Sequence, residues 1–119
     1  MDTAVLTAIA SPRRQEILRL LWDEELSAGA IHRSLGDVTF GAVSLQLKSL
    51  ETAGLVHARA DGRFRMYRAR RETLGPMGNV LKRMWDDALW RLKLAAELEQ
   101  TRRGPRRRKA AKKRKGGGT

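Results

Sequence analysis

Apolar residues recur at helical spacing in five stretches of the chain and switch to alternation in one. From Thr3 to Ala10, Val5, Leu6 and Ile9 share one side of a short helix. Ser11-Pro12 restarts the chain, with Ser as N-cap and Pro at the first helical position. Ile17, Leu18, Leu20, Leu21 and Trp22 then give a second helix a broad apolar stripe, ended by Asp23-Glu24-Glu25, with a very short strand near Leu26. Ser27 caps a third helix from Ala28 to Leu35, where Ile31 and Leu35 stand one turn apart and Gly36 follows as a helix end prefers. Asp37-Val38 makes a tight connection, and Thr39 caps a fourth helix from Phe40 to Ala53, closed by Gly54. Two short helices joined by such a turn have the spacing of a helix-turn-helix.

After Gly54 the period changes. Leu55, Val56 and Ala58 begin an alternating run, Asp61-Gly62 interrupts it, and alternation resumes through Phe64, Met66 and Tyr67. Asp-Gly between two such runs signals a β-hairpin. The hairpin is cationic, with Arg59, Arg63, Arg65, Arg68, Arg70 and Arg71 against Asp61 alone. Gly75-Pro76 breaks the chain again, and one long helix is expected from about Met77 to Gln100. Its apolar surface is too wide for so small a core to cover, which predicts a second copy of the chain against it. Leu6, Ile9, Leu81, Met84, Trp85, Leu89 and Leu92 are the candidate dimer contacts. The predicted fold is therefore mainly α, a winged helix-turn-helix with a small β-hairpin wing, a long C-terminal dimerisation helix and a disordered basic tail. Residues 1–100 form one DNA-binding and dimerisation domain, and 101–119 the tail.

Charge sharpens this division. The 119-residue chain carries a net charge of +12, yet ten of its 25 Lys and Arg lie in 101–119 and none of its 13 Asp and Glu do. Residues 1–100 thus hold 15 basic and 13 acidic side chains and are nearly neutral. Total charge alone points only to a polyanion. The tail, built of Arg, Lys, Gly and Ala with one Pro, cannot pack a core. There are no cysteines, so disulfides and thiolate chemistry are excluded. No signal-peptide pattern or membrane-length apolar run is present. The expectation is a soluble cytoplasmic protein associated with the bacterial nucleoid.

On a helical wheel of the fourth helix, Val43, Leu47 and Leu50 face the core, while Gly41, Leu45, Lys48 and Thr52 lie opposite, with Ser44 at the edge. Phe40, Ala42 and Gln46 lie on the flanks. The N-terminal half of a recognition helix reaches base edges, so Gly41, Ser44 and Leu45 are the direct-contact candidates. Ser bonds several base edges, and Leu packs against a thymine methyl. Lys48 suits a phosphate, as do Thr39 and the first amides of the helix. Arg63 at the wing tip suits a narrow minor groove, and Arg59 and Arg65 suit phosphates. The candidate DNA-binding set is Thr39, Phe40, Gly41, Ser44, Leu45, Gln46, Lys48, Arg59, Arg63 and Arg65. The alternative is a solvated helix face and arginines that merely keep strand edges soluble. Six neutralised phosphates would give log K a slope near −5 against log salt, at about 0.9 per contact.

These residues resemble the ArsR family of bacterial winged-helix regulators from about Thr3 to Gln100. Ser11 to Leu21 resembles the family's opening D-P-T-R-R-x-I-L-x-L-L, and Glu25-Leu26-Ser27 with Ile31 its next helix. Ala42 to Val56 resembles A-V-S-x-H-L-K-x-L-x-x-A-G-L-V, and Gly62-Arg63 with Tyr67 the wing's G-R-x-x-x-Y. The resemblance implies a homodimer built from the first and last helices, recognition of double-stranded DNA by Phe40 to Ala53, and a pseudo-palindromic operator. Gln46 stands where the family often has His. The family's Cys-x-Cys metal site in the third helix and its Asp and His site in the last have no counterpart here, and Met84 to Leu92 resembles the metal-independent subgroup's F-W-x-x-R-L-x-x-L.

No metal, cofactor or catalytic site is predicted. His32 and His57 stand alone on different elements, and Asp86 and Asp87 point about 100° apart on a helix and are read as solvated. No phosphate-cradling glycine loop or Gly-x-Ser-x-Gly elbow is present. Trp22, Trp85 and Trp90 are read as core or dimer packing, with a pocket for an unknown small-molecule effector as the alternative. The functional expectation is a sequence-specific DNA-binding regulator, a repressor acting as a homodimer. Its rivals are a nucleoid-architectural protein that binds through the basic tail, and an adaptor that kept the fold but binds a protein.

Overall fold

A computed structural model describes residues 3–103, and the tail expectation lies outside the described residues apart from its first three positions. The element order is α1 (Thr3–Ile9), α2 (Pro12–Leu21), β1 (Leu26–Ser27), α3 (Ala28–Leu35), α4 (Phe40–Thr52), β2 (Val56–Asp61), β3 (Phe64–Ala69), α5 (Arg71–Leu74), α6 (Pro76–Asp86) and α7 (Ala88–Arg103).

Local chemistry explains most of the boundaries. Ser11, Ser27 and Thr39 are extended, and each side-chain oxygen accepts from a backbone amide three residues on: Arg14, Ala30 and Ala42. Such capping satisfies a donor that the helix cannot. Helix α4 ends in a Schellman motif. Gly54 takes φ +77, its N–H donates to the Glu51 carbonyl at 3.0 Å, and Leu55 N–H donates to Leu50 at 2.9 Å. Leu50 and Leu55 are both fully buried, the apolar contact that accompanies this motif.

The three strands form an antiparallel sheet in the order β1-β3-β2. Asp61 pairs with Phe64, so the wing turns on Gly62 and Arg63. Gly62 holds φ +62, the left-handed conformation that two-residue hairpin loops require.

One core unites the layers. Ile17, Leu18 and Leu21 of α2 meet Ile31 of α3, Val43, Leu47 and Leu50 of α4, Leu55 and Val56, and Leu81 and Trp85 of α6. Trp22 and Trp85 pack edge to face with centroids 5.3 Å apart.

Two expectations for the C-terminal half are corrected. The single helix from Met77 to Gln100 is two helices. Asp87 leaves the helical region at φ −77 and ψ 126, and its Oδ1 accepts from the amides of Leu89 at 2.8 Å and Trp90 at 3.2 Å. Asp competes with helical backbone and favours caps, so Asp86-Asp87 is a point of restart. Asp87 is thus a cap, although it is exposed as expected, and Asp86 pairs with Lys82. The break places Leu94 and Leu98 in buried positions and leaves Leu89 and Leu92 exposed.

Leu81 and Trp85 are also not available to a second copy. They are 6% and 1% exposed within one protomer, consumed by the core around Trp22 and α2. Leu6, Leu89 and Leu92 are exposed, and Ile9 and Met84 are half-buried. Helix α5 was not foreseen, because its four residues are too few to show a period.

Candidate nucleic-acid interface

Helix α4 presents two faces of different chemistry. Val43, Leu47 and Leu50 are buried to 1% or less, which fixes the rotation of the helix about its axis. Ser44, Leu45 and Lys48 are thereby turned outward, and Leu45 is 69% exposed. Thr39, Phe40 and Gly41 are also exposed at the start of the helix. Thr39 is engaged as the cap, its Oγ1 accepting from Ala42 N–H at 3.0 Å. Phe40 stands edge-on to His32 at 6.0 Å. His32 Nε2 lies 2.9 Å from the Val38 carbonyl. A carbonyl only accepts, so Nε2 carries the proton there and pins the turn between α3 and α4.

The wing differs from a simple row of free cations. Arg59 donates through Nε and Nη2 to the two oxygens of Glu25 at 2.8 and 2.7 Å, a bidentate pair that ties β2 to the segment before β1. Arg65 donates to Glu51 on α4 at 3.1 Å and lies 5.7 Å from the centre of the Tyr67 ring. Arg70 pairs with Glu72, and Arg71 pairs with Asp23 beside Trp22. Arg63, in the turn itself, has no acidic partner among the described residues, and neither has Lys48. Arg59 and Arg65, both expected at phosphates, are thus each held by a carboxylate within the chain, while their side chains stay 57% and 60% exposed. Phe64, next to Arg63 and 58% exposed, was not among the expected residues. The sequence pattern names it only as part of the alternating run.

The hydrogen bond from Arg59 holds the Glu25 carboxyl below the usual carboxylate range, against a smaller opposing effect of desolvation. A carboxylate with a lowered pKa contributes above that value and ceases to contribute as pH falls through it. Glu25→Gln is accordingly expected to speed amide exchange in β2 and β3 at neutral pH with little change in the global melt, because exposed pairs add little to stability. In the unaltered chain the same loosening is expected only in acid. Unchanged exchange in Glu25→Gln at neutral pH would show that the pair does not hold the wing.

Gln46 lies between the two faces of α4 and is half-buried. Its Oε1 accepts from Arg14 Nη1 at 3.0 Å, a contact across 32 residues that no local pattern foretells. Arg14 also lines a groove between α1 and α4 whose α4 wall includes Leu45 and Lys48.

Comparison with known proteins accords with this arrangement. No family model matches the chain. HlyU from Vibrio cholerae is 31% identical, with a TM-score of 0.64 over 71% of this chain and 90% of that one. An ArsR-like transcriptional regulator from a Rhodococcus species is 31% identical, with a TM-score of 0.58 over 82% of this chain and 91% of that one. The chain belongs to the ArsR family. A homodimeric winged helix-turn-helix DNA-binding domain from Mycobacterium bovis, described as that of a possible ArsR-family transcriptional regulator, is 31% identical at a TM-score of 0.62, covering 72% and 79% of the two chains. A protein of Halobacterium salinarum named as the arsenical resistance operon repressor ArsR is 41% identical over 68 residues, 56% of this chain. That match spans about half (52%) of the relative's length. No described helix of this ArsR-family chain is long and apolar enough to cross a membrane.

Proposed function

We propose that the chain binds a specific sequence in double-stranded DNA as a homodimer and regulates transcription, repressing by occupying promoter DNA. The observation that carries this reading is the outward face of α4. Ser44, Leu45 and Lys48 are exposed on a helix whose opposite side is locked into the core, and unpaired Arg63 stands on the wing that follows. Ser44 and Leu45 meet base edges, Lys48 and the first amides of α4 meet phosphates, and Arg63 enters the adjacent minor groove. Among the expected wing contacts, Arg59 and Arg65 serve first to position the wing. The second copy covers Leu6, Leu89 and Leu92, with Ile9 and Met84 at the margin. The homodimeric Mycobacterium bovis relative supports that assembly.

Selection of bound duplexes from random sequence, followed by footprinting of the winner at moderate salt, tests the proposal. The expected product is an inverted repeat whose half-sites lie about 10 base pairs apart, as two recognition helices of a symmetric dimer require. The footprint should persist when residues 104–119 are removed. Uniform coverage that vanishes with the tail would instead indicate an architectural protein, and the regulatory reading would be abandoned.

A further inference from the structure

Arg14, in the first turn of α2, is a cation held in place by neutral groups. Its Nε donates to the Ala8 carbonyl at 2.9 Å and its Nη2 to the Thr7 carbonyl at 3.4 Å, both in the last turn of α1. Its Nη1 donates to Gln46 Oε1 on α4 at 3.0 Å. No acidic side chain among the described residues pairs with it, whereas the adjacent Arg13 meets both Glu16 and Asp37. A guanidinium has five N–H donors, so these three contacts leave two without an acceptor among the described residues. The contact with Thr7 is exposed, while those with Ala8 and Gln46 are part-buried, so the Nη2 end is the one that meets solvent.

Arg14 and Thr7 line a groove whose other wall is Leu45, Lys48, Ser49 and Thr52 of α4, all four exposed. The groove lies on the flank of α4 away from the wing. The wing meets α4 at Glu51, through Arg65. Ser49, two positions earlier, stands about 160° from Glu51 around the helix axis. Leu45, Lys48 and Thr52 fall between the two flanks, on the side opposite the buried Val43, Leu47 and Leu50. A helix with its side chains is about 10–12 Å across, and the major groove is about 12 Å wide. A helix seated there has a phosphate backbone along each flank. The wing serves one of the two.

We propose that the groove between α1 and α4 serves the other: Arg14 donates its two remaining N–H groups to a DNA phosphate on the strand away from the wing, with Lys48 on the facing wall. This rests on the reading of α4 as a recognition helix. A guanidinium fixed by uncharged acceptors keeps its charge for the phosphate and has little rotamer freedom left to lose on binding.

The test is a set of salt titrations on the selected duplex with the full-length chain, Arg14→Gln and Ser49→Glu, each variant checked for folding by thermal melting and for association by sedimentation without DNA. Arg14→Gln removes two cations per dimer at about 0.9 of a counterion each, so the plot of log K against log salt should flatten by about 1.8 units, and binding near 0.1 M salt should weaken roughly fiftyfold. The selected sequence should stay the same, because a phosphate contact carries no base information. Ser49→Glu leaves every contact of Arg14 in place and sets a carboxylate in the same groove. It should weaken binding at least as far, and it carries the test if Arg14→Gln does not fold. The inference fails if either folded variant keeps the slope and affinity of the unaltered chain, or if Arg14→Gln changes the selected sequence. It also fails if the variants split the dimer without DNA, which would give the groove to the second copy. A pool from the unaltered chain with no enriched sequence would overturn the proposed function as well. An enriched sequence that Arg14→Gln binds with an unmoved slope would overturn this inference alone.

Discussion

Replacing Lys48 and Arg63 together by Ala is expected to weaken binding to the selected duplex by about three orders of magnitude near 0.1 M salt, and to flatten the plot of log K against log salt by about 3.6 units. The figure follows from two cations per protomer, four per dimer, each releasing about 0.9 of a counterion from B-form DNA. These two are chosen because the chain does not already neutralise them. Arg59 donates through Nε and Nη2 to Glu25, and Arg65 donates to Glu51. Their replacement by Ala should alter the slope far less, and through wing placement more than through charge. The six-contact estimate from composition treats every wing arginine as free, and the ion pairs remove that premise. Electrophoretic or anisotropy titrations at several salt concentrations decide the matter. A slope unmoved by the double substitution would mean that neither α4 nor the wing lies against the backbone. Residues 101–119 carry ten further cations, but they are common to both proteins and cancel in the difference.

Why some of this was readable from sequence and some was not follows from the range of the interactions. Ser11, Ser27 and Thr39 announce their helices because capping acts over three residues. The turn at Gly62 and the buried stripe of Val43, Leu47 and Leu50 are likewise set by neighbours in the chain. Those signals place α4 and the wing, and with them Ser44, Leu45, Lys48 and Arg63. What fails is anything decided by a distant partner. The ion pairs of Arg59 and Arg65 are with Glu25 and Glu51, 34 and 14 residues away, and no local pattern foretells them. Arg14 has no motif that points to Gln46. The reading of Met77 to Gln100 as one helix went wrong for a different reason. Apolar periodicity outweighed Asp87, whose capping preference was visible but was assigned to solvent. That single break redirects α7 and separates Leu94 and Leu98, which are buried, from Leu89 and Leu92, which are exposed.

The placement of Trp85 gives the second large effect. Trp85→Ala should destabilise the fold by about 3–5 kcal/mol, the usual loss on truncating a large buried aromatic side chain. A small domain is stable by only about 5–15 kcal/mol, so a urea midpoint should fall steeply. The ring is 1% exposed and meets Trp22 edge to face, so its removal opens a cavity between α2 and α6. Its indole nitrogen is buried with no hydrogen-bond partner among the described residues. Trp85→Phe keeps an aromatic ring in the same space and leaves a smaller cavity, so it should cost much less than Ala. The opposite ordering holds for association. Leu89→Ala with Leu92→Ala removes side chains that are 77% and 68% exposed, so monomer packing should be preserved while the dimer dissociates at lower dilution. Analytical ultracentrifugation alongside denaturant melts separates the two. If Trp85→Ala left the melt intact and only split the dimer, the ring would belong to the interface, and the packing of α6 against Trp22 would have to be redrawn.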